Sequence, residues 1–202
     1  MRYGMVIDLS RCVGCQACTV ACKQKNGTPP GVFWGRVLVS ETGKYPSARL
    51  HFTPILCMHC EKPACKTVCP TGATAKQANG IVTVDAEKCI GCRYCMVACP
   101  YDARGFNYSS LQPQYAGQKL TAFERAHVDE HPVGKVGKCN FCADRVQAGQ
   151  PPKCVETCPA KARFFGNLDD PQSEVAQLIA KRGGHQLRAE LGTSPSVYYL
   201  PV

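Results

Sequence analysis

No run of about 18 consecutive apolar residues occurs in this 202-residue chain, so no segment reads as a membrane-spanning helix. Its opening, Met1 to Asp8, lacks a basic stretch followed by an apolar one and lacks a twin arginine. If the protein works outside the cytoplasm, another chain is expected to carry the address. Nothing resembles a nucleophile elbow, a phosphate-cradling loop or a dinucleotide-binding glycine pattern. No paired carboxylates suggest acid–base chemistry. Histidine is scarce, and His51, His127 and His131 have no partner at metal-ligand spacing. The sequence therefore offers no substrate site of a familiar kind.

Cysteine, by contrast, is abundant: 16 residues in four groups of four. The first group is Cys12-x2-Cys15-x2-Cys18-x3-Cys22, and the second is Cys57-x2-Cys60-x4-Cys65-x3-Cys69 followed by Pro70. The third is Cys89-x2-Cys92-x2-Cys95-x3-Cys99 followed by Pro100. The fourth is Cys139-x2-Cys142-x11-Cys154-x3-Cys158 followed by Pro159. This is an internal repeat with no cysteine left over. A disulfide framework does not open every group with Cys-x-x-Cys, so metal binding is the better reading.

Iron in a cubane takes soft thiolate ligands, one per iron and four per cluster. In the bacterial ferredoxin pattern, the first three cysteines wrap one cluster and the fourth, before proline, ligates the other cluster of a pair. The third group matches residue for residue, and the first differs only in Lys23 where proline would stand. Four [4Fe–4S] clusters are expected. Crossing gives a ligand map: Cys12, Cys15 and Cys18 with Cys158; Cys139, Cys142 and Cys154 with Cys22; Cys57, Cys60 and Cys65 with Cys99; Cys89, Cys92 and Cys95 with Cys69. The competing reading is four structural zinc sites, but zinc ribbons rarely place two cysteines three apart before proline. His59, inside the second group, is read as a packed loop residue over a cluster-tuning one.

The formal net charge of +9 would by itself suggest an anion-binding protein. That sum counts each cysteine as neutral. A cubane with its thiolates carries about −2, so four contribute roughly −8. Arg11, Lys23, Lys62, Lys66, Lys88, Arg93, Lys138, Arg145, Lys153 and Lys161 lie close to cysteines in sequence and are read as compensating that charge rather than contacting nucleic acid.

The expected fold class is α+β: two bacterial-ferredoxin-like units, one inserted in the other, loop-rich with short helices and hairpins. Residues 1–52 and 135–202 would form the unit with the first and fourth groups. Residues 53–134 would form the inserted unit with the second and third. The x3 spacing places the last two cysteines of each group about one helical turn apart. Asn79-Gly80 before Ile81-Val82-Thr83-Val84 signals a hairpin. The stretches 26–54, with the only tryptophan, Trp34, and 105–137 read as linkers, the second as a surface excursion. Asp170-Pro171 reads as the start of an amphipathic helix over 174–181, with Val175, Leu178 and Ile179 on one face and Gly183-Gly184 as its stop. Asp169 and Asp170 are read as caps. The tail 194–202 is expected as an extended arm packed on a partner, over a strand covering the core.

The four groups, in this order and spacing, resemble the four-cluster subunit of the complex iron–sulfur molybdoenzymes. The resemblance covers nearly the whole chain, including Met5-Val6-Ile7-Asp8-Leu9-Ser10-Arg11-Cys12 and Cys57-Met58-His59-Cys60-Glu61-Lys62-Pro63-Ala64-Cys65. It extends through Cys89-Ile90-Gly91-Cys92-Arg93-Tyr94-Cys95 and Cys154-Val155-Glu156-Thr157-Cys158-Pro159. The tail Phe165 to Pro171 is most similar to the polysulfide, thiosulfate, tetrathionate and arsenate reductase branch. The resemblance implies a non-catalytic electron-transfer subunit set between a molybdopterin catalytic subunit and a quinone-reactive integral membrane subunit, associated with the membrane through those partners, often on the outer, periplasmic face in this branch with the export signal on the catalytic subunit, and with the cytoplasmic face as the alternative. It implies an order of first, fourth, second and third groups from molybdenum to membrane. Cys92 stands where some members have tryptophan and a [3Fe–4S] cluster, so four cubanes are implied. The alternative is a free soluble polyferredoxin, although long linkers and a tail suit a docked subunit better.

Overall fold

The computed structural model describes residues 1–110, 113 and 117–202. The remaining part of the expected excursion over 105–137 lies outside the described residues. The chain begins with β1 (Tyr3–Asp8) and α1 (Ala17–Asn26), then forms a long hairpin of β2 (Gly35–Thr42) and β3 (Arg49–Leu56). Next come α2 (Ala64–Thr67), β4 (Thr74–Lys76), β5 (Val82–Val84), α3 (Tyr94–Val97) and β6 (Gly105–Phe106). After α4 (Ala122–His127) follow β7 (Val136–Gly137), α5 (Ala143–Gln147), α6 (Lys153–Glu156), β8 (Arg163–Asn167), α7 (Glu174–Arg182) and β9 (Val197–Leu200). The α+β class and the short elements are as the spacing predicts.

The one three-stranded sheet has the order β8-β1-β9, with β1 antiparallel to β8 and parallel to β9. Side chains alternate along β1, so Met5 and Ile7 enter one core while Val6 enters another with Val175 and Leu200. All three are fully buried, each contributing about 1.5–3 kcal/mol. Both faces of β1 are thus covered, which is why it reads as an unbroken apolar run. Helix α7 covers the Val6 face through Val175, Leu178 and Ile179, as its periodicity predicts. Its last turn is tied to β1 by Arg182, which donates to both carboxylate oxygens of the buried Asp8. Burial alone would raise the Asp8 carboxyl, but hydrogen bonds from Arg182 and Ser10 hold it below its ordinary value.

Three expectations are corrected here. The C-terminal stretch is not an arm held out for a partner. Val197, Tyr199 and Leu200 are fully buried, and β9 pairs with β1 from Met5↔Val197 to Asp8↔Leu200. The α7 cap is Ser173, whose hydroxyl accepts from the Ala176 amide, while Asp170 Oδ1 is engaged one turn earlier by the Gln172 amide. Asp169 is no cap either: it pairs with the amino terminus and with Arg2. The expected linker over 26–54 is largely structured, since β2 pairs with β3 from Gly35↔Leu56 to Thr42↔Arg49. The Asn79-Gly80 hairpin forms as expected, joining β4 to β5 with Gly80 at φ 83°.

The chain ends approach so closely at β1 that a side chain there is excluded. A Cβ on Gly4 would lie 2.4 Å from Leu168 Cδ1 and 2.5 Å from the Ser196 carbonyl oxygen. Gly4→Ala is therefore expected to destabilise the protein by about 1–3 kcal/mol, read as thermal loss of structure at lower temperature. An unchanged transition would show that the β1–β9 junction is looser than described.

Candidate cluster sites

Each cysteine group has a left-handed residue at the same place in its opening turn. It is the second x of Cys-x-x-Cys: Gly14 (φ 68°), His59 (φ 43°), Gly91 (φ 73°) and Phe141 (φ 55°). That residue reverses the chain so that the two flanking sulfurs can face one point. Glycine adopts this conformation freely, while His59 and Phe141 do so at a cost of roughly 1–2 kcal/mol. Their rings offset it by stacking on each other, centroids 3.7 Å apart, in full burial. The second and fourth groups are thereby packed loop against loop.

The ending of the groups is also repeated. Short helices α2, α3 and α6 carry the x3 interval, as expected. After Cys-Pro comes a left-handed residue, Gly72, Asp102 or Lys161, whose amide donates to the carbonyl of Cys69, Cys99 or Cys158. Then comes a buried alanine, Ala73, Ala103 or Ala162. The first group departs from this, as Lys23 foreshadows, because α1 runs on to Asn26.

None of the sixteen cysteines is in a disulfide, and cysteines of different groups come together. Cys57, Cys60 and Cys65 line one small cavity together with Cys99 of the third group. Cys89, Cys92 and Cys95 line another together with Cys69 of the second. The Cys158 thiol is within electrostatic reach of Cys12, and Cys22 is within reach of Cys142, Cys154 and Cys139. Helix α1 packs on α6, and α2 on α3. Cys139 is also close enough to feel Cys57, so the two sets meet. Cys15 is exposed at the surface of the first group, as is Cys92 in the third.

Several observations fit cubanes. Four sulfurs on one zinc ion would stand about 3.8 Å apart, yet among the described residues no three His, Cys, Asp or Glu side chains are grouped to hold a single ion. The sulfurs of the second and third groups instead surround cavities, as ligands to separate irons do. Arg104, in the wall of the Cys57 cavity, is buried and turns its guanidinium toward Cys65 and Cys95. A buried cation without a carboxylate partner calls for negative charge in the space it faces. His59 Nδ1 accepts from the Val82 amide at 3.0 Å, which leaves its proton on Nε2, and the ring also lies against the Cys139 backbone. Burial and nearby Lys138 keep that imidazole well below its ordinary pKa and neutral.

Of the basic residues assigned to charge compensation, Lys138 alone is buried, its ammonium held by the Val82 and Cys139 carbonyls. Arg11, Lys88, Arg145 and Lys153 pair with carboxylates, and Lys23 bonds the carbonyls of Thr28 and Pro29. Sequence proximity missed the two buried guanidiniums that face cysteine sulfur. Arg163 Nη2 donates to Cys18 Sγ at 3.3 Å, and Arg104 stands beside Cys65 and Cys95. The signal was present in the repeat: each is the fifth residue after the last cysteine of its group.

Comparison with known proteins agrees with this geometry. A family model described as a 4Fe-4S dicluster domain matches residues 48–114 and 123–168, and a second of the same description matches 11–73. These define a ferredoxin-type protein carrying four [4Fe–4S] clusters. The chain is 46% identical to a selenate reductase subunit of Mesobacillus selenatarsenatis, over 99% of this chain and 72% of that one. It is 37% identical to the arsenate respiratory reductase iron–sulfur subunit of a Shewanella species, over 99% and 96%, and 40% identical to a tetrathionate reductase subunit of Salmonella typhimurium, over 98% and 72%. The chain belongs to the iron–sulfur subunits of the complex iron–sulfur molybdoenzymes, which transfer electrons and leave catalysis to a partner.

Without iron, Cys22, Cys60 and Cys139 hold thiols, not thiolates. Burial, with repulsion from neighbouring cysteines, pushes Cys22 and Cys60 up to about 12. Each such thiol must lose its proton before it binds iron, so protons compete with the clusters. Cluster retention is expected to fall as pH falls, read as loss of visible absorbance together with release of iron. Retention that rises on acidification would contradict this.

Proposed function

We propose that this chain is the electron-transfer subunit between a molybdopterin catalytic subunit and a quinone-reactive membrane subunit of a respiratory oxidoreductase. When bound, each cluster takes up and gives back a single electron. The chain's part is to hold the four sites in series and keep water from the inner ones. The observation that supports the reading is the approach of Cys139 to Cys57, with His59 stacked on Phe141 between their groups, which would join two pairs in one row. Family likeness orders that row as first, fourth, second and third groups from catalytic partner to membrane partner. The substrate would belong to the catalytic partner, within the oxyanion and sulfur-compound range of the relatives' names.

The ligand map proposed for this row is the crossed one, with Cys99, Cys69, Cys158 and Cys22 each completing the other group's cluster. The same crossing divides the chain into a unit of residues 1–52 and 135–202 and an inserted unit of residues 53–134, with the β2–β3 hairpin running between them. The crossing is supported by the cavities that Cys99 and Cys69 share with the other group's cysteines. Cys99→Ser is expected to abolish or convert the cluster of Cys57, Cys60 and Cys65 while sparing that of Cys89, Cys92 and Cys95, as EPR resolves; the opposite pattern rejects the map.

Partner docking is supported by surface as well as by resemblance. Among the described residues no helix is long and apolar enough to cross a membrane, so attachment would run through partners, with the outer face of the membrane as the branch implies. The β2–β3 hairpin exposes Leu38, Val39, Tyr45 and Leu50, an apolar surface that a free carrier does not need. Anaerobic purification from detergent-solubilised native membranes is expected to bring down a molybdopterin subunit and a multi-span protein. A brown protein recovered alone from the soluble fraction would instead establish a free polyferredoxin.

A further inference from the structure

Arg104 and Arg163 occupy the same place in the repeat, five residues after Cys99 and Cys158, behind the buried Ala103 and Ala162. Both are only 6% exposed. Among the described residues neither makes an ion pair with a carboxylate. Arg163 donates to two sulfurs, Cys18 Sγ at 3.3 Å and Met5 Sδ at 3.6 Å. Arg104 donates to Thr74 Oγ1 at 3.2 Å and turns the rest of its guanidinium toward Cys65 and Cys95. Thr74 is itself the fifth residue after Cys69, so the two equivalent positions of one pair touch each other. A guanidinium without a counter-charge is costly in a protein interior.

The missing counter-charge is around them. Arg163 acts on Cys12 and Cys18 of one site and on Cys22 and Cys154 of the next. Arg104 acts on Cys57 and Cys65 of one site and on Cys95 of the next. Each arginine thus stands between the two sites of its own pair.

We propose that Arg163 and Arg104 are a matched pair of fixed cations, one per dicluster pair, each positioned between two cluster sites and raising the reduction potential of both. The proposal rests on the four-cluster electron-transfer reading. One electron from an external one-electron reductant such as dithionite adds one negative charge at a site, and the arginine keeps its proton throughout. A nearby fixed positive charge favours the more negative, reduced form. Because each guanidinium is shared, its influence falls on two sites together and leaves the other pair almost untouched.

The test is EPR-monitored redox titration of the intact complex carrying Arg104→Gln, Arg163→Gln, or the corresponding lysine variants, with iron content measured in each. Each glutamine variant is expected to lower two of the four midpoints. The two variants should lower different pairs, and the lysine variants, which keep the charge, should stay near the wild type. Unchanged midpoints, a shift of all four, or the same pair moving in both variants would overturn the proposal. If a glutamine variant loses iron, the lysine variant decides: retention near wild-type potential supports a charge role, and equal loss shows that the arginine only packs. Wild-type protein holding fewer than about sixteen irons would instead bring down the underlying four-cluster reading, an outcome visible before any variant is made.

Discussion

Concentrated negative charge is the constraint on which this structure depends. Four cubanes with their thiolates bring about −2 each into a domain of modest size, and an uncompensated charge in such an interior is prohibitive. The chain answers in layers. Backbone amides approach sulfur, as Phe141 does at Cys139 and Ala162 does at Cys158. Buried cations stand near the cysteines, and a neutral His59 fills the contact between the second and fourth groups without adding charge. The formal excess of +9 is the image of the same balance in the composition.

Repetition explains how so little regular structure can place sixteen sulfurs. A left-handed residue stands before the second cysteine of every group, and a helix of about one turn carries the last pair of sulfurs in three of the four. The groups differ where their neighbours differ. Gly14 and Gly91 occupy the left-handed position in the first and third groups, where a Cβ would collide with Phe52 or with the Gly134 carbonyl. His59 and Phe141 occupy it where the two pairs meet, and there the aromatic rings become the joint. The sheet of β8, β1 and β9 gathers the chain ends and locks the first and fourth groups together from outside.

Local signals in the sequence carried the cysteine repeat, the short helices, the Asn79-Gly80 hairpin and the glycine stop of α7. Each depends on residues close together in the chain. What could not be read depends on distant pairing. The apolar tail looks the same whether it waits for a partner or lies beside β1, because periodicity does not name the neighbouring strand. Ser173 displaced Asp170 as the cap because the Asp170 carboxylate closes a turn of its own before the helix begins. Arg104 and Arg163 are not adjacent to any cysteine along the chain, and their guanidiniums reach sulfurs of other groups. Their equivalence within the repeat was visible, but its meaning depends on the proposed crossing of the groups.

That proposed crossing is the centre of the account, since it would make two pairs and join them in a row. Anomalous diffraction at the iron edge from crystals of the anaerobically purified protein tests it most directly. The account predicts four cubanes, each bound by three cysteines of one group and the last cysteine of its partner group, with the fourth and second clusters adjacent. Four clusters each bound by a single group, or isolated single metal ions, would contradict it.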